Sequence, residues 1–197
     1  MDISKITSYL YVSSKLQAGH MQELPARNIG LAISMIVGQP PPDFSDHACR
    51  MVWLQTCDSI LIPIPVKELM SGVQAALPVI QSGQSVLVYC AKGRHRSVAM
   101  AAAVLIAMGQ TACEATQLLR AQRKAADPQA WHISRRIHKF EKYWKNRNTQ
   151  ATNQVSCMEE TYANTATALV ASIILYMSGA GQWAFGKFRN KQVRSNT

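Results

Sequence analysis

The chain has 197 residues, 48% hydrophobic and 16% charged, which suits one globular domain with a modest extension. This composition excludes disorder throughout, and ten Gly, eight Pro and five Cys fit neither a collagen nor a disulfide scaffold. The net charge of +10 is local, because residues 120–147 carry nine basic and two acidic side chains and residues 187–194 carry four basic ones. The first of these segments predicts the solvated face of a helix, with a surface that binds an anionic partner as the alternative.

Four short apolar runs, each bounded by Gly, Pro, Ser or Asp, predict buried strands of a single sheet. The predicted strands are Leu10–Val12, Leu31–Val37, Met51–Leu54 and Val86–Tyr89. Helical patterns lie between and after these runs. The sequence therefore predicts an α/β domain whose central mixed sheet is flanked by helices.

Four segments have the patterns of helices. Apolar residues recur at helical spacing from Val66 to Leu77, and Pro78 is expected to end or kink that helix. Gly109 is the expected C-terminal cap of an Ala-rich helix, and Thr111 opens a capping box for the next one. The predicted helices cover residues 66–77, 97–108, 111–124 and 130–144.

The C-terminal part of the chain predicts a separate segment. Residues 161–186 contain no charge, and Trp183 with the basic flank favours a membrane anchor over a terminal helix packed on the domain. The polar run 146–154 predicts a linker. The predicted organisation is a domain over 1–148, a linker over 149–162 and an apolar segment with a basic tail over 163–197.

The cysteines indicate a reducing compartment, because the five of them form no C-x-x-C pair and no secretory signal precedes the first strand. We therefore predict a cytoplasmic location, with the C-terminal segment as a candidate anchor that would leave the domain facing the cytosol. Cys49, Cys57 and Cys113 are each expected to be small buried apolar residues, and a protective disulfide with Cys90 is the alternative.

The chemistry is predicted where the fourth strand meets the second helix. A loop in this position can turn its backbone N–H groups toward one point, and the helix N-terminus adds its dipole, so the loop predicts a phosphate site. Cys90 is the candidate nucleophile, because the same groups lower the pKa of a thiol. Arg96 can hold two phosphate oxygens with its planar guanidinium. Gly93 permits the tight curvature, and the predicted substrate-binding residues are Ala91, Lys92, Gly93, Arg94 and His95.

The segment from Cys90 to Ser97 resembles the Cys-x5-Arg-Ser signature loop of the cysteine-dependent dual-specificity phosphatases, in the protein tyrosine phosphatase superfamily. Tyr9–Ser13 is similar to the first strand of that family, and Ala121–Pro128 is similar to its late Arg-rich turn. The resemblance covers residues 3–146. It implies that the predicted domain is catalytic and that the Cys-x5-Arg loop joins the last core strand to a helix.

The resemblance implies that phosphate passes to Cys90, that water then hydrolyses the phosphocysteine, and that an upstream Asp protonates the leaving oxygen. Asp58 lies 32 residues before Cys90, at the family's spacing, whereas Asp43 and Asp46 come too early; a turn-forming Asp is the alternative for Asp58. Ser97 would donate a hydrogen bond to the thiolate, in addition to capping the helix. Neither a metal nor a cofactor is implied, since N–H groups and a guanidinium meet the phosphate charge.

The family resemblance implies phosphotyrosine and phosphoserine or phosphothreonine on proteins as substrates. Lys92, Arg94 and His95 make the loop cationic, which favours an anionic lipid as the alternative. Similar basic loops occur in superfamily members that act on phosphoinositides or phosphatidylglycerophosphate, so the resemblance implies a phospholipid of one of these types. No nucleic-acid partner is expected, because aromatic and basic residues do not interleave. Tyr89 stands where the family usually has His, so a phosphate-binding pseudophosphatase is a further alternative.

Overall fold

The computed structural model describes residues 2–38, 41, 49–150, 170 and 174. The chain divides into two compact units, Met1–Asn146 and Arg147–Thr197. The predicted linker and apolar C-terminal segment lie outside the described residues, apart from residues 149, 150, 170 and 174, so both stay predictions. Within the described part of the chain, no helix is long and apolar enough to cross a membrane.

The first unit contains a five-stranded sheet with the strand order β1-β2-β5-β3-β4. Its strands are β1 (Ile3–Lys5), β2 (Leu10–Ser13), β3 (Ile29–Ser34), β4 (Arg50–Trp53) and β5 (Ser85–Tyr89). The β1–β2 pair is antiparallel and the other pairs are parallel, which confirms the predicted mixed sheet. The three residues of β1 escaped prediction because an edge strand that short has too few positions to show a period.

Within residues 2–150, the described part of the chain forms four α-helices and two short 3₁₀ helices. The α-helices are α1 (Val66–Gln81), α2 (Arg96–Ala107), α3 (Ala112–Gln122) and α4 over residues 131–150. The 3₁₀ helices, Ala18–Glu23 and Pro25–Arg27, connect β2 to β3. The predicted capping box is present, with the Glu114 N–H donating to Thr111 Oγ1 at 3.2 Å. Gly109 follows α2 with a φ of +102°, the left-handed conformation expected of a helix-ending glycine.

Two hydrophobic clusters cover the two faces of the sheet. The larger cluster joins side chains of α1 to α4 to one face, and the smaller one contains residues of the β2–β3 connection. Alternate residues of the central strand belong to opposite faces, as strand geometry requires. Val88 and Cys90 therefore lie in the larger cluster, and Leu87 and Tyr89 in the smaller one.

The structure differs from two local expectations. Pro78 does not end α1, which continues to Gln81. A proline in the last turn removes only one helical N–H, and its carbonyl still accepts a 3.0 Å hydrogen bond from the Ser82 N–H. The start of the predicted linker is helical as well, since α4 includes residues 146–150. This stretch has no Gly or Pro, so its polar side chains are compatible with an exposed helix.

Candidate active site

The loop from Cys90 to Arg96 begins at the end of the central strand β5 and leads into α2. Gly93, in the middle of the loop, has a φ of +61°. A Cβ atom at this position would lie 2.7 Å from the Ser13 carbonyl oxygen, which is closer than van der Waals contact allows. The tight curvature therefore depends on glycine, for both conformation and space.

Cys90 and Ser97 are buried side by side, with 3.2 Å between Cys90 Sγ and Ser97 Oγ. Burial acts to raise the pKa of the Cys90 thiol. Hydrogen bonds from the Ser97 hydroxyl and from the backbone N–H groups of Ser97 and Arg94 oppose it, as does the charge of Arg96. These interactions outweigh burial and hold the pKa of Cys90 below its ordinary value of 9.0. The site therefore stabilises a thiolate.

Arg96 is buried, and its guanidinium is fixed by two backbone carbonyls. Its Nη1 donates to Met35 O and to Thr56 O, both at 2.7 Å. The first carbonyl follows β3 and the second follows β4, so two neighbouring strand ends orient the side chain. The Nε atom is buried and has no hydrogen-bond partner within the described residues. A buried guanidinium donor of this kind is suited to an anion bound at the loop.

Asp58, the predicted general acid, lies in the exposed segment between β4 and α1. The fold brings it to the loop, where its Oδ1 and Oδ2 lie 3.1 and 3.3 Å from Nδ1 of His95. A second imidazole lies nearby, with Nε2 of His132 at 3.9 Å from Asp58 Oδ1. The carboxyl group is therefore held beside His95, the loop residue that precedes Arg96.

The loop side chains predicted to bind substrate differ in what they contact. Ala91 and Lys92 are exposed. The Arg94 guanidinium donates to Asp127 Oδ2 at 3.0 Å, and this hydrogen bond is the main reason that the pKa of Asp127 is lowered. Arg94 is thus tied to the segment that precedes α4. Because its side chain is paired, we expect the loop to meet phosphate mainly through its backbone N–H groups.

Sequence reasoning missed Arg123, which is buried beneath the loop. Its Nε donates to Gly93 O at 2.7 Å, and its Nη1 and Nη2 donate to the Asp2 carboxylate at 3.1 and 2.6 Å. The hydrogen bond from Arg123 is the main cause of a lowered pKa of Asp2. The basic segment 120–147 is thus not only a solvated face. No periodicity marks this residue, and the only sequence signal is that it falls in the Arg-rich turn of the family resemblance.

Tyr89 is buried in the smaller cluster, on the face of the sheet opposite Cys90. Its hydroxyl donates to Met51 Sδ at 3.8 Å, and its carbonyl accepts a 2.9 Å bond from the Met35 N–H. Burial raises the pKa of Tyr89. The side chain therefore acts as a core residue, and its backbone joins the end of β5 to the segment after β3.

The four cysteines within the described residues are free. Cys49 is buried, as predicted, and burial raises the pKa of its thiol to about 11. Cys57 is half-buried, and Cys113 is exposed, so the expectation of burial is wrong for Cys113. Cys113 is in the first turn of α3, on the side of the helix that faces solvent, whereas Ala112 and Ala115 face the core. Cys157 lies outside the described residues.

A groove of about 300 Å³ lies beside Asp58 and combines apolar and cationic walls. Its apolar side includes Leu61, which is 90% exposed, and Ile60 and Trp131 are exposed as well. The neighbouring Ile62 is also exposed. The residues that line the groove are Ile60, Leu61, Pro63, Trp131, His132, Arg135, Arg136 and Lys139.

Three known proteins are similar to this chain in sequence or in structure. Dual specificity protein phosphatase 1B of Arabidopsis thaliana is 30% identical over 142 residues, which cover 72% of this chain and 83% of that protein. The crystal structure of human DUSP28 is 21% identical, with a TM-score of 0.66 over 74% of this chain and 96% of that chain. The structure of PTPMT1 in complex with PI(5)P is 22% identical, with a TM-score of 0.64 over 74% and 98%. No family model matches the sequence.

The architecture, with the segment Cys90–Arg96 between β5 and α2, is the fold of human DUSP28 and of PTPMT1. The sequence identity and coverage shared with the Arabidopsis protein show family membership in addition to a common fold. The chain belongs to the dual-specificity phosphatase family.

Proposed function

We propose that residues 1–148 form a catalytic domain that hydrolyses phosphotyrosine and phosphoserine or phosphothreonine on proteins through a phosphocysteine intermediate. The observation that carries this proposal is the buried thiol of Cys90, whose pKa is lowered by hydrogen bonds from its own loop and from Ser97. A structural cysteine in an apolar core has no such donors, and burial alone would raise its pKa.

In the first step, the Cys90 thiolate attacks phosphorus, so that a P–S bond forms as the P–O bond to the leaving group breaks. Arg96 Nε and the loop N–H groups neutralise the charge on the equatorial oxygens. Asp58 gives its proton to the leaving oxygen, which departs as a neutral hydroxyl group. The phosphoryl group keeps its charge, and the negative charge that the thiolate brought ends on Asp58, which is left as a carboxylate.

In the second step, a water molecule attacks the phosphocysteine and gives a proton to the Asp58 carboxylate. The P–S bond breaks, inorganic phosphate leaves, and Cys90 returns as a thiolate. The hydroxyl of Ser97, 3.2 Å from the sulfur, donates a hydrogen bond that stabilises this leaving thiolate. Both steps proceed with groups of this chain alone, so we propose a reaction without a catalytic metal or cofactor.

A second candidate substrate is an anionic phospholipid. The exposed side chains of Ile60, Leu61 and Trp131 line the groove beside Asp58, and positive charge comes from Arg135, Arg136 and Lys139. Apolar side chains next to cations suit the interface of an anionic membrane. The fold is shared with PTPMT1, which was solved with PI(5)P. On this proposal, a candidate anchor at 163–197 would keep a cytoplasmic domain at a membrane surface.

A phosphate-binding pseudophosphatase is the non-enzymatic alternative, and Cys90→Ser separates it from an enzyme. We would measure phosphate release by the full chain, with a chelator present, from a phosphotyrosine peptide, a phosphothreonine peptide and vesicles that contain a phosphoinositide. We expect release that Cys90→Ser abolishes, fastest on a peptide. Faster release from vesicles would favour the lipid substrate, and no release by the wild type would favour the binding module.

The candidate anchor has its own test, which is independent of the reaction. The full chain and a chain that ends at Gln150 would be partitioned between detergent and aqueous phases. Partition of the full chain alone into detergent is the expected result, and equal partition of the two chains would remove the anchor from the proposal.

A further inference from the structure

Three side chains from separate parts of the chain meet at the rim of the loop. Asp58 comes from the β4–α1 segment, His95 from the end of the loop, and His132 from the first turn of α4. Nδ1 of His95 is 3.1 Å from Asp58 Oδ1, and Nε2 of His132 is 3.9 Å from the same oxygen. One nitrogen or oxygen atom from each residue lies within 4.8 Å of those of the other two.

We propose that Asp58, His95 and His132 form a binding site for a divalent transition-metal ion, for which Zn²⁺ is the probe. Two imidazoles and one carboxylate are a donor set that Zn²⁺ accepts, with a water molecule as fourth ligand. Bonds of about 2.0–2.1 Å to Zn²⁺ in a tetrahedron place ligand atoms about 3.3 Å apart. The separations from Asp58 Oδ1, 3.1 Å to His95 and 3.9 Å to His132, lie on either side of that spacing. Small rotations of these partly exposed side chains would bring the ligand atoms to the tetrahedral spacing.

A second observation concerns the other nitrogen of His95. Metal-bound imidazoles usually donate the remaining ring N–H to a carboxylate, which orients the ring and raises its basicity. Nε2 of His95 is buried without a hydrogen bond, and Asp127 Oδ2 lies 3.8 Å away. Nδ1 of His95 is thus available to the ion, while Nε2 of the same ring faces the Asp127 carboxylate. Asp127 is itself held by the Arg94 guanidinium at 3.0 Å.

The local charge limits the affinity of the site. One carboxylate and two neutral imidazoles leave a bound divalent ion with a net charge of +1, and the Arg94 cation lies nearby, paired with Asp127. Protons compete with the ion for both imidazoles, so binding strengthens as the pH rises. These features describe a reversible site rather than a structural one.

Binding at this site has a consequence for catalysis, which rests on the proposed role of Asp58 as general acid. A carboxylate that coordinates an ion cannot carry the proton that the leaving oxygen needs. The ion therefore inhibits, and it slows alkyl phosphates more than aryl phosphates with good leaving groups. Binding itself does not depend on catalysis, so it can be measured in an inactive variant.

The experiment titrates Zn²⁺ into the full chain, purified without a polyhistidine tag, in the Cys90→Ser background that removes the thiolate. Calorimetry gives the affinity, and the visible ligand-field absorption of Co²⁺ reports the coordination. His132→Asn and Asp58→Asn remove one ligand each. His138→Asn is the matched control, because this exposed histidine lies on the same helix outside the cluster. Thermal melts of the metal-free variants check their folding.

We expect one Zn²⁺ per chain, and affinity at least about tenfold weaker in His132→Asn and Asp58→Asn, while His138→Asn binds as the parent does. Equal affinity in parent and His132→Asn, or no binding by the parent, overturns the proposal. The wild type is titrated alongside, and Zn²⁺ binding by the wild type that is absent from Cys90→Ser assigns the ion to the thiolate and also overturns the proposal. A failure of the phosphatase proposal is recognised separately, by absent phosphate release from the metal-free wild type.

Discussion

The buried hydrogen bonds of Arg123 give a stability prediction that the structure allows us to size. Arg123→Met keeps most of the side-chain volume and removes the guanidinium. The Gly93 carbonyl then loses its 2.7 Å donor, and an unsatisfied buried carbonyl costs about 1–3 kcal/mol. Loss of the pair with Asp2 adds about 0–1 kcal/mol, because that carboxylate is 56% exposed and regains water. We expect a total loss of about 1–4 kcal/mol.

The assay is urea unfolding, with a thermal melt as a second measurement. For a domain of this size, a loss in the middle of that range lowers Tm by about 5–10 °C. Asp2→Asn is the control, since it removes the exposed pair and keeps the bond to Gly93. We expect it to cost less than about 1 kcal/mol. Equal losses in the two variants, or no loss in Arg123→Met, would refute the role of the Gly93 bond.

The effect of Asp2→Asn on the free energy of unfolding should depend on pH, in the direction given by the pKa shift of Asp2. Arg123 lowers the folded-state pKa of Asp2 below its ordinary value of 3.8. The pair therefore stabilises the fold above that ordinary value, and its contribution is lost as the pH falls through the lowered pKa. The stability difference between wild type and Asp2→Asn should be present at neutral pH and vanish in acid. A difference that grows toward low pH would contradict the assignment.

Three further predictions concern the site. The alkylation rate of Cys90 by iodoacetamide should rise with pH through a value below 9.0, and Ser97→Ala should move that midpoint upward; an unchanged midpoint would contradict the role of the hydroxyl. Asp58→Asn should lower kcat on an alkyl phosphate by about 10²–10⁴-fold and on p-nitrophenyl phosphate by less, and equal losses would argue against a general acid. Tyr89→His should lower the unfolding free energy by about 1–3 kcal/mol in urea, because it places a polar ring in the smaller cluster, and an unchanged midpoint would disprove that packing.

The sequence predicted those parts of the site that are contiguous in the chain. Cys90, Gly93, Arg96 and Ser97 lie within eight residues between a buried strand and an Ala-rich helix, so local patterns were enough to locate the loop. Asp58 was predicted only through the spacing that the family resemblance supplies. The α/β class followed from the alternation of short apolar runs with helical patterns.

The parts that escaped prediction depend on contacts between distant segments. The bond between Arg123 and Asp2 joins residues 121 positions apart, and no periodicity signals such a pair. The same holds for His132, which reaches Asp58 only because the start of α4 lies against the β4–α1 segment. Charge patterning predicted a solvated face for a stretch in which Arg123 is buried. Net charge describes a segment, whereas burial is decided residue by residue.

The most direct test of the account is to trap the intermediate. Wild type and Asp58→Asn would be mixed with p-nitrophenyl phosphate, quenched in acid within the turnover time, digested and examined by mass spectrometry. The good leaving group limits the need for an acid in the first step, while loss of the base slows the second. We predict one added phosphoryl group on Cys90, accumulating more in Asp58→Asn than in the wild type. Phosphate release with no phosphoryl group on Cys90, or with the group on another residue, would contradict the account.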